Sequence, residues 1–257
     1  MIPYFQFVSF QLGPLTIYVW GLMVAIGILV ATWIGARLAK RQGLDPGVCW
    51  DLAGWGSLGG FVGARLAHVL LYAPQTYLHD PMRILALRDG GYSSLGAFVG
   101  GILAGVIYVR VKRIPLAPYA NLGALCVPLG YGIGRIGCFL IHDHPGTATH
   151  FFLGVNYPDG VVRHDLGLYE ALNGFGLAIL MFILYKKKAP ARLFVPVFLV
   201  WYGLVRFFLD FLRATNGVIV DSRYAGLTPA QYAAMGMFVW GLWLYATSTK
   251  ASLSSRR

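Results

Sequence analysis

Two arginines stand inside apolar stretches of the sequence, where a charged side chain needs a physical explanation. Arg135 lies in Gly-Ile-Gly-Arg-Ile-Gly at 132–137, and Arg206 lies in Tyr-Gly-Leu-Val-Arg-Phe-Phe at 202–208. An arginine near the centre of a bilayer costs about 3 kcal/mol or more unless it faces a cavity or a partner. Two guanidiniums repel each other unless an anion joins them, and each matches phosphate oxygens in bidentate fashion. The pair therefore predicts a binding site for a phospholipid headgroup.

Simpler explanations exist for several of these charges. Arg206 has Asp210 one helical turn later, which is a suitable salt-bridge partner. Arg65 and Arg213 lie toward the ends of apolar stretches, where a long side chain can extend to the membrane surface. Glu170 is the only glutamate in the chain. It either balances an arginine or serves the site directly, and the sequence leaves both alternatives open.

Histidines and acidic residues concentrate in the polar stretch at 142–166, which contains His142, Asp143, His144, His150, His164 and Asp165. This concentration of polar, titratable side chains marks the stretch as a candidate for function. A zinc site built from the histidines and Asp143 is an alternative, but the spacing H-x-H-x5-H matches no justified ligand pattern, so no metal is predicted.

The composition places these residues in a membrane protein. Of the 257 residues, 57% are hydrophobic and 12% are charged, whereas about 25% of residues are charged in soluble domains. This composition excludes an ordinary soluble domain, a disordered chain and a coiled coil. The cysteines Cys49, Cys126 and Cys138 are few and lie in apolar surroundings, so they are predicted to be free thiols.

The elements that carry the candidate residues are predicted to be seven transmembrane helices. A bilayer core about 30 Å thick requires roughly 20 apolar residues per helix. The predicted spans lie at about 14–36, 49–72, 94–111, 116–141, 167–185, 193–213 and 229–248. The predicted fold class is therefore an all-α, polytopic membrane protein, with a single domain over 1–257 and a small extracytoplasmic head formed by its loops.

Basic residues orient these predicted helices. Most of the 21 lysines and arginines follow the first, third, fifth and seventh spans. By the positive-inside rule the N-terminus then faces outward and the C-terminus lies in the cytoplasm, so the 142–166 stretch faces the outer side. Because orientation accounts for the positive charge, nucleic acid is not an expected partner. Glycines in the second and third spans predict close helix packing, and the absence of repeats disfavours an inverted-repeat transporter.

Short motifs follow one another along almost the whole chain, and their order and spacing are more specific than any one of them. They are Leu-Gly-Pro-Leu-Thr-Ile-Tyr-Val-Trp-Gly-Leu-Met at 12–23, Gly-Ala-Arg-Leu at 63–66, Asp-Gly-Gly-Tyr-Ser at 89–93, Gly-Arg-Ile-Gly-Cys-Phe at 134–139, Leu-Tyr-Glu-Ala at 168–171, Arg-Phe-Phe at 206–208 and Leu-Thr-Pro-Ala-Gln at 227–231. With these motifs the chain resembles the bacterial prolipoprotein diacylglyceryl transferases.

The resemblance implies a lipid transfer at the outer face of the bacterial cytoplasmic membrane. The diacylglyceryl group of phosphatidylglycerol passes to the cysteine thiol of a preprolipoprotein signal peptide, which forms a thioether and releases glycerol phosphate. Arg135 and Arg206 would hold the headgroup phosphate and stabilise the leaving group, with Glu170 as a further catalytic residue. No metal or other cofactor is implied. The implied substrate contacts also include Trp20, where the family has a tyrosine, and Gly134, Gly146 and Tyr169.

The chain departs from the family pattern close to the chemistry. Where the family has His-Gly-Gly, this chain reads Leu-Gly-Ala at 95–97, so the histidine proposed to help deprotonate the thiol is absent. Asp143 stands one methylene shorter at the usual acidic position, and Gly146 is kept. One reading is that the base has moved to His142 or His144, oriented by Asp143 or Asp165, because a histidine–carboxylate pair can accept a proton near neutral pH. The other is that the chain is a paralogue with changed or lost catalysis that binds phospholipid or lipoprotein. We favour the first, because a thiol with a pKa of about 8.5 needs little help to ionise.

Overall fold

Helices dominate the fold. The computed structural model describes residues 1–72, 74–86, 91–214 and 223–254, except for the side chains at 71, 72, 94, 95 and 249–254. Asp89, Gly90 and the side chain of Leu95 therefore lie outside the described residues. The helices are α1 (Val19–Arg41), α2 (Gly47–Ala67), α3 (Pro74–His79), α4 (Ser94–Val111), α5 (Leu116–Ile141), α6 (Leu166–Lys186), α7 (Phe194–Leu209) and α8 (Pro229–Ser254). A π-helical segment, His68–Tyr72, follows α2, and 3-10 turns span Pro81–Leu85, Ala191–Leu193 and Asp210–Leu212.

The helices have the length and composition of a membrane protein. Within the described ranges, four helical segments are long and apolar enough to cross a membrane: Val19–Arg41, Leu116–Ile141, Leu166–Lys186 and Ala191–Leu212. Gly96–Val111 is apolar but shorter. Large hydrophobic side chains such as Ile102, Ile179 and Val239 are exposed on the helices, as expected where lipid is the solvent. These features confirm the predicted helical membrane protein.

The first predicted span, 14–36, begins too early. Residues before Val19 form an antiparallel hairpin of β2 (Ser9–Leu12) and β3 (Leu15–Tyr18). Gly13 has a φ of +61° at the turn, a conformation that costs glycine little. Apolar residues in a short run do not distinguish a strand from the start of a helix, so the predicted span begins five residues before α1.

A small sheet also departs from the all-α prediction. Its four strands are β1 (Ile2–Pro3), β5 (Val155–Asn156), β6 (Val162–Asp165) and β4 (Pro145–Ala148), in that spatial order. β1 runs parallel to β5, and the other pairs are antiparallel. Strands of two to four residues are too short to show an alternating pattern in the sequence. The predicted loop at 142–166 therefore contributes three of the four strands of this sheet.

The chain forms two compact units, Met1–Gly35 with Ala120–Arg257 and Ala36–Tyr119. In the second unit, α2 packs against α4 through glycines. A Cβ added to Gly63 would lie 2.4 Å from the backbone oxygen of Gly96, and one added to Gly100 would lie 2.2 Å from that of Gly59. No side chain fits at such distances, so these contacts confirm the predicted close packing.

Arg65, also in the second unit, is buried instead of extending to the membrane surface as expected. Its guanidinium hydrogen-bonds to backbone carbonyl groups of the loop that follows the second helix. The rings of Tyr77 and Tyr92 lie 5.3 and 5.7 Å from its guanidinium carbon. Arg65 thus stabilises this loop. The carbonyl acceptors are those of Arg83 at 2.6 Å, Ile84 at 3.1 Å, Ala86 at 3.1 Å and Gly91 at 3.2 Å.

Candidate functional site

The register of α5 against α6 places Arg135 opposite Glu170. Two close contacts hold the helices antiparallel, and both require glycine. A Cβ added to Gly174 would lie 2.8 Å from the Cα of Gly132, and one added to Gly167 would lie 2.6 Å from the backbone nitrogen of Phe139. Arg135 lies between the two contact points on α5, and Glu170 lies between them on α6. Helix packing therefore brings the two charges together.

Glu170 joins the two arginines that the sequence singled out. Its side chain is only 1% exposed, and its Oε2 lies 2.6 Å from Nε of Arg135. The other carboxylate oxygen, Oε1, accepts a hydrogen bond from Nη1 of Arg206. The hydroxyl of Tyr131 donates to Oε2 at 2.6 Å. Glu170 thus provides the anion that two neighbouring guanidiniums need, and of the two alternatives for this residue the geometry supports the balancing one.

Asp210 is a second buried carboxylate on the other side of Arg206. Its Oδ1 lies 3.1 Å from Nη2 of Arg206 and 3.1 Å from Nε of Arg213. The hydroxyl of Thr228 donates to its Oδ2. Arg206 therefore pairs with Asp210, as the simpler explanation required, and with Glu170 at the same time. Arg213 turns inward to Asp210, so the expectation that it extends to the membrane surface is wrong.

These residues form one network, here called the arginine cluster, which carries more positive than negative charge. Its ion pairs join three guanidiniums to two carboxylates. The surplus of one positive charge matches the single negative charge of a phosphodiester. The cluster consists of Arg135, Arg206, Arg213, Glu170 and Asp210.

A thiol, a carboxylate and an imidazole lie next to the arginine cluster. The Sγ of Cys138 is 3.6 Å from Nη1 of Arg135, which donates to it. Nδ1 of His144 is hydrogen-bonded to Oδ1 of Asp143. One ligand-type atom from each of Cys138, Asp143 and His144 lies within 4.8 Å of the other two. We call these three residues the thiol cluster.

The thiol cluster also affects the ionisation of its histidine. Burial alone would lower the pKa of His144, because burial disfavours the charged form. The hydrogen bonds with Asp143 and Cys138 favour the charged form and outweigh burial, so the pKa of His144 lies above its ordinary value. His144 is thus held next to a carboxylate and within reach of the arginine cluster.

His142, the other predicted base, has different surroundings. Its Nδ1 lies 2.6 Å from Oδ2 of Asp165. Its ring stacks on Tyr4 at 4.7 Å and meets Phe5 and Phe139 edge-on at 5.3 Å each. Within the described part of the chain, its buried Nε2 has no hydrogen-bond partner. His142 therefore packs the N-terminal segment against the start of α6, where Asp165 caps the helix.

The remaining predicted substrate contacts are spread around these clusters. The side chain of Trp20 is exposed at the start of α1, and Gly134 approaches Val24. Gly146 pairs with Arg213 in an isolated β-bridge. The hydroxyl of Tyr169 is hydrogen-bonded to Nδ1 of His164 at 2.8 Å, and burial lowers the pKa of His164. Their roles in substrate binding stay predictions.

Sequence reasoning missed three members of the site. Tyr131 precedes Arg135 by four residues, a spacing that places both on one helix face and could have identified it. Cys138 is predicted only as a thiol outside any disulfide, and Cys49, Cys126 and Cys138 indeed form no disulfide. Thr228 lies 18 residues after Asp210 in the sequence, and nothing in its sequence context indicates that contact.

Comparison with known proteins yields one family. The family model described as Prolipoprotein diacylglyceryl transferase matches residues 7–247. Proteins named phosphatidylglycerol–prolipoprotein diacylglyceryl transferase are similar over nearly the whole chain. The protein from Geobacter sulfurreducens is 34% identical over 265 residues, covering 99% of this chain and 97% of the relative. That from Chromohalobacter salexigens is 31% identical over 255 residues, covering 97% and 95%, and that from Bacillus cytotoxicus is 30% identical over 268 residues, covering 100% and 97%.

Proposed function

This chain belongs to the prolipoprotein diacylglyceryl transferase family, and from that premise we propose that it transfers the diacylglyceryl group of phosphatidylglycerol to a preprolipoprotein. The acceptor is the lipobox cysteine thiol, and the product is a thioether. The observation that carries the proposal is the arginine cluster, in which Arg135 and Arg206 share the buried carboxylate of Glu170. Its surplus positive charge suits the phosphodiester of the lipid donor.

We place the enzyme in the bacterial cytoplasmic membrane with seven spans, an outward N-terminus and a cytoplasmic C-terminus. In support of this number, the long helices of the described residues overlap the predicted spans, although α1 begins later and α8 ends later than predicted. Basic residues occupy the last turns of α1, α4 and α6, which would all end on the cytoplasmic side. This orientation puts the arginine cluster in the outer half of the membrane.

The arginine cluster would act on the departing group. As the peptide thiolate attacks a glycerol carbon, the bond from that carbon to the phosphate oxygen breaks, and negative charge develops on the oxygen. Arg135 and Arg206 stabilise that charge in a poorly hydrated site, where such interactions are stronger than in water. Glu170 and Asp210 hold both guanidiniums in place before the substrate arrives, so little reorganisation accompanies the reaction.

The thiol cluster would promote ionisation of the peptide thiol. Between the two candidate histidines, the surroundings favour His144. It lies with Asp143 beside Cys138, which contacts Arg135. His142 is enclosed by aromatic rings and holds the N-terminal segment. Asp143 orients His144, and the pair compensates for the leucine that replaces the family histidine.

Complementation tests the proposed function. We would express the chain in bacteria depleted of their own diacylglyceryl transferase and look for thioether-modified lipoprotein. The wild-type chain and Arg163→Ala, which removes a partly exposed arginine paired with Asp159, should restore modification. Arg206→Ala should not. Absence of thioether with the wild-type chain, when the protein is present in the membrane, would contradict the proposal.

A second function is favoured by one observation, the leucine at 95. If the family histidine is indispensable, the chain binds phospholipid or lipoprotein without turnover. The same cells separate the two functions, because a binding protein restores no thioether yet co-purifies with phosphatidylglycerol in an Arg206-dependent manner.

A further inference from the structure

The thiol cluster has the composition of a transition-metal site. It combines a thiol, a carboxylate and an imidazole, and the three ligand-type atoms lie within 4.8 Å of one another. Around a tetrahedral zinc ion, ligands at about 2.0–2.3 Å lie roughly 3.3–3.7 Å apart. Side-chain movements of about 1 Å therefore bring all three ligands onto one ion, with the hydrogen bond between Asp143 and His144 replaced by a metal–ligand bond from each residue. The cluster differs from the set of histidines that the sequence spacing suggested, since it takes only one of them.

We propose that Cys138, Asp143 and His144 together bind a Zn²⁺-class ion whose remaining coordination position takes the thiolate of the peptide substrate. The inference rests on the proposed function and specifies how the thiol cluster acts in it. His144 would act as a metal ligand, and direct proton transfer to its imidazole becomes the competing outcome of the test.

The ligand set selects this class of metal. Thiolate and imidazole ligands suit zinc and its neighbours among the transition metals, whereas magnesium and calcium prefer all-oxygen sites. Three protein ligands leave one position of a tetrahedral ion for water or substrate, as in catalytic zinc sites. A thiol that coordinates such an ion loses its proton outright. The ion would therefore supply the thiolate that the missing family histidine would otherwise help to form.

Charge balance is compatible with the ion beside the arginine cluster. The thiolate of Cys138 and the carboxylate of Asp143 neutralise a divalent cation. Before the peptide binds, the surplus positive charge of the arginine cluster is therefore unchanged and still matches the phosphodiester. The peptide thiolate then brings one negative charge, which passes to the phosphate oxygen when the carbon–oxygen bond breaks. Cys138 lies 3.6 Å from Nη1 of Arg135, so the ion would lie next to the guanidinium that faces the leaving group.

The reaction balances without an oxidant or a reductant. The peptide thiol releases its proton to solvent when its sulfur coordinates the ion. A sulfur lone pair then forms the bond to the glycerol carbon, and the bond between that carbon and the phosphate oxygen breaks. Its electron pair leaves on the oxygen, which takes a proton from solvent as glycerol phosphate. The thioether leaves the ion, and water replaces it.

Metal binding is measured first, without reference to activity. The full chain in detergent is stripped with a chelator and titrated with Co²⁺ and then Zn²⁺. We expect one ion per chain, with a thiolate-to-Co²⁺ absorption band that Zn²⁺ removes. Cys138→Ser and His144→Ala should lose the band, while the matched controls Cys49→Ser and His150→Ala should keep it. Monodispersity and unchanged thermal unfolding of each variant establish folding. No band in the wild-type chain, or a band that survives Cys138→Ser, overturns the site.

Activity is measured next on the same preparations. Stripping should lower thioether formation by at least about 100-fold, the usual size of a proton-transfer contribution, and Zn²⁺ should restore it. Full activity in the stripped protein, or inhibition by Zn²⁺, overturns the metal's role and leaves the transferase with His144 as a direct proton acceptor. If the chain binds Zn²⁺ but forms no thioether, whether stripped or loaded with Zn²⁺, the result contradicts the proposed function and leaves the metal site standing.

Discussion

A single carboxylate decides how the candidate site is arranged. Glu170 contacts Arg135 and Arg206 through different oxygens, and its side chain is 1% exposed. Because it lies between the two guanidiniums, the carboxylate lowers the repulsion between them. Its own negative charge is balanced by both arginines. Removing one partner from a buried ion pair costs about 3–5 kcal/mol, because an uncompensated charge remains. Glu170 is therefore the residue whose charge the site can least lose.

Glu170→Gln keeps the shape of the side chain and removes its charge. We expect lower thermal stability in detergent and loss of most thioether formation, because the two guanidiniums then repel each other without a shared anion. Asp159→Asn is the matched control, since it removes an exposed carboxylate paired with Arg163. A Glu170→Gln protein with the stability and activity of the wild type would show that Glu170 does not hold the pair together.

The two loop histidines should respond differently to removal. His144→Ala should lower turnover by at least about 100-fold in a folded protein. His142→Ala should instead lower the free energy of unfolding by about 1–3 kcal/mol, because it leaves the buried Asp165 without one partner. Turnover per folded molecule should be retained. Thermal unfolding and product formation, measured on the same samples, check both expectations, and the reverse pattern would assign the chemistry to His142.

At the scale of residues, the sequence identifies the charged and titratable side chains of the site better than it identifies the residues that they contact. Arg135 and Arg206 stand out because charge is rare in apolar stretches. The choice between the histidines depends on backbone geometry that spacing does not reveal. His142 has a φ of +50°, in the left-handed region, so the chain turns at the end of α5 and the two neighbouring histidines face different surroundings.

At the scale of elements, close contacts between helices determine which side chains of neighbouring helices meet. α5 and α6 approach through Gly132 and Gly174, and this contact sets the register that puts Arg135 opposite Glu170. The helix bounds follow from apolar length and agree with the prediction to within a few residues, apart from α1 and the C-terminal end of α8. The β2–β3 hairpin and the four-stranded sheet were missed, because their pairings join distant or very short segments whose hydrogen bonds leave no local pattern.

Two glycines on α6 offer a test of this register. A Cβ at Gly174 would lie 2.8 Å from the Cα of Gly132, whereas one at Gly176 meets nothing within 4 Å. Gly174→Ala should therefore destabilise the protein by about 1–3 kcal/mol through overpacking and lower thioether formation. Gly176→Ala should be neutral or stabilise the helix by up to about 1 kcal/mol. Equal thermal stability of the two variants would contradict the close contact.

At the scale of the whole molecule, the orientation in the membrane determines on which side the arginine cluster lies. The composition and the apolar helices established a membrane protein, but helix bounds do not determine which side each loop occupies. The positive-inside rule predicts the side, from basic residues at the ends of α1, α4 and α6. Two exposed positions, Asp159 in the 142–166 stretch and Lys187 after α6, should then lie on opposite sides of the membrane.

Cysteine labelling checks this orientation in intact cells. A membrane-impermeant maleimide should label Asp159→Cys directly, and it should label Lys187→Cys only after the membrane is permeabilised. The unsubstituted chain provides the background from its own three cysteines. Labelling of Lys187→Cys in intact cells would reverse the orientation and would place the arginine cluster in the cytoplasmic half.

The central claim is that two guanidiniums held by one carboxylate bind the phosphate of the lipid donor and stabilise its departure. The most direct measurement is mass spectrometry of a lipobox peptide incubated with phosphatidylglycerol and the chain in nanodiscs. The wild type should add one diacylglyceryl group. Arg206→Lys, which keeps the charge but loses the bidentate fork, should be at least about 100-fold slower, as for loss of one oxyanion donor. An unmodified peptide with the wild type, or an undiminished rate with Arg206→Lys, would contradict the account.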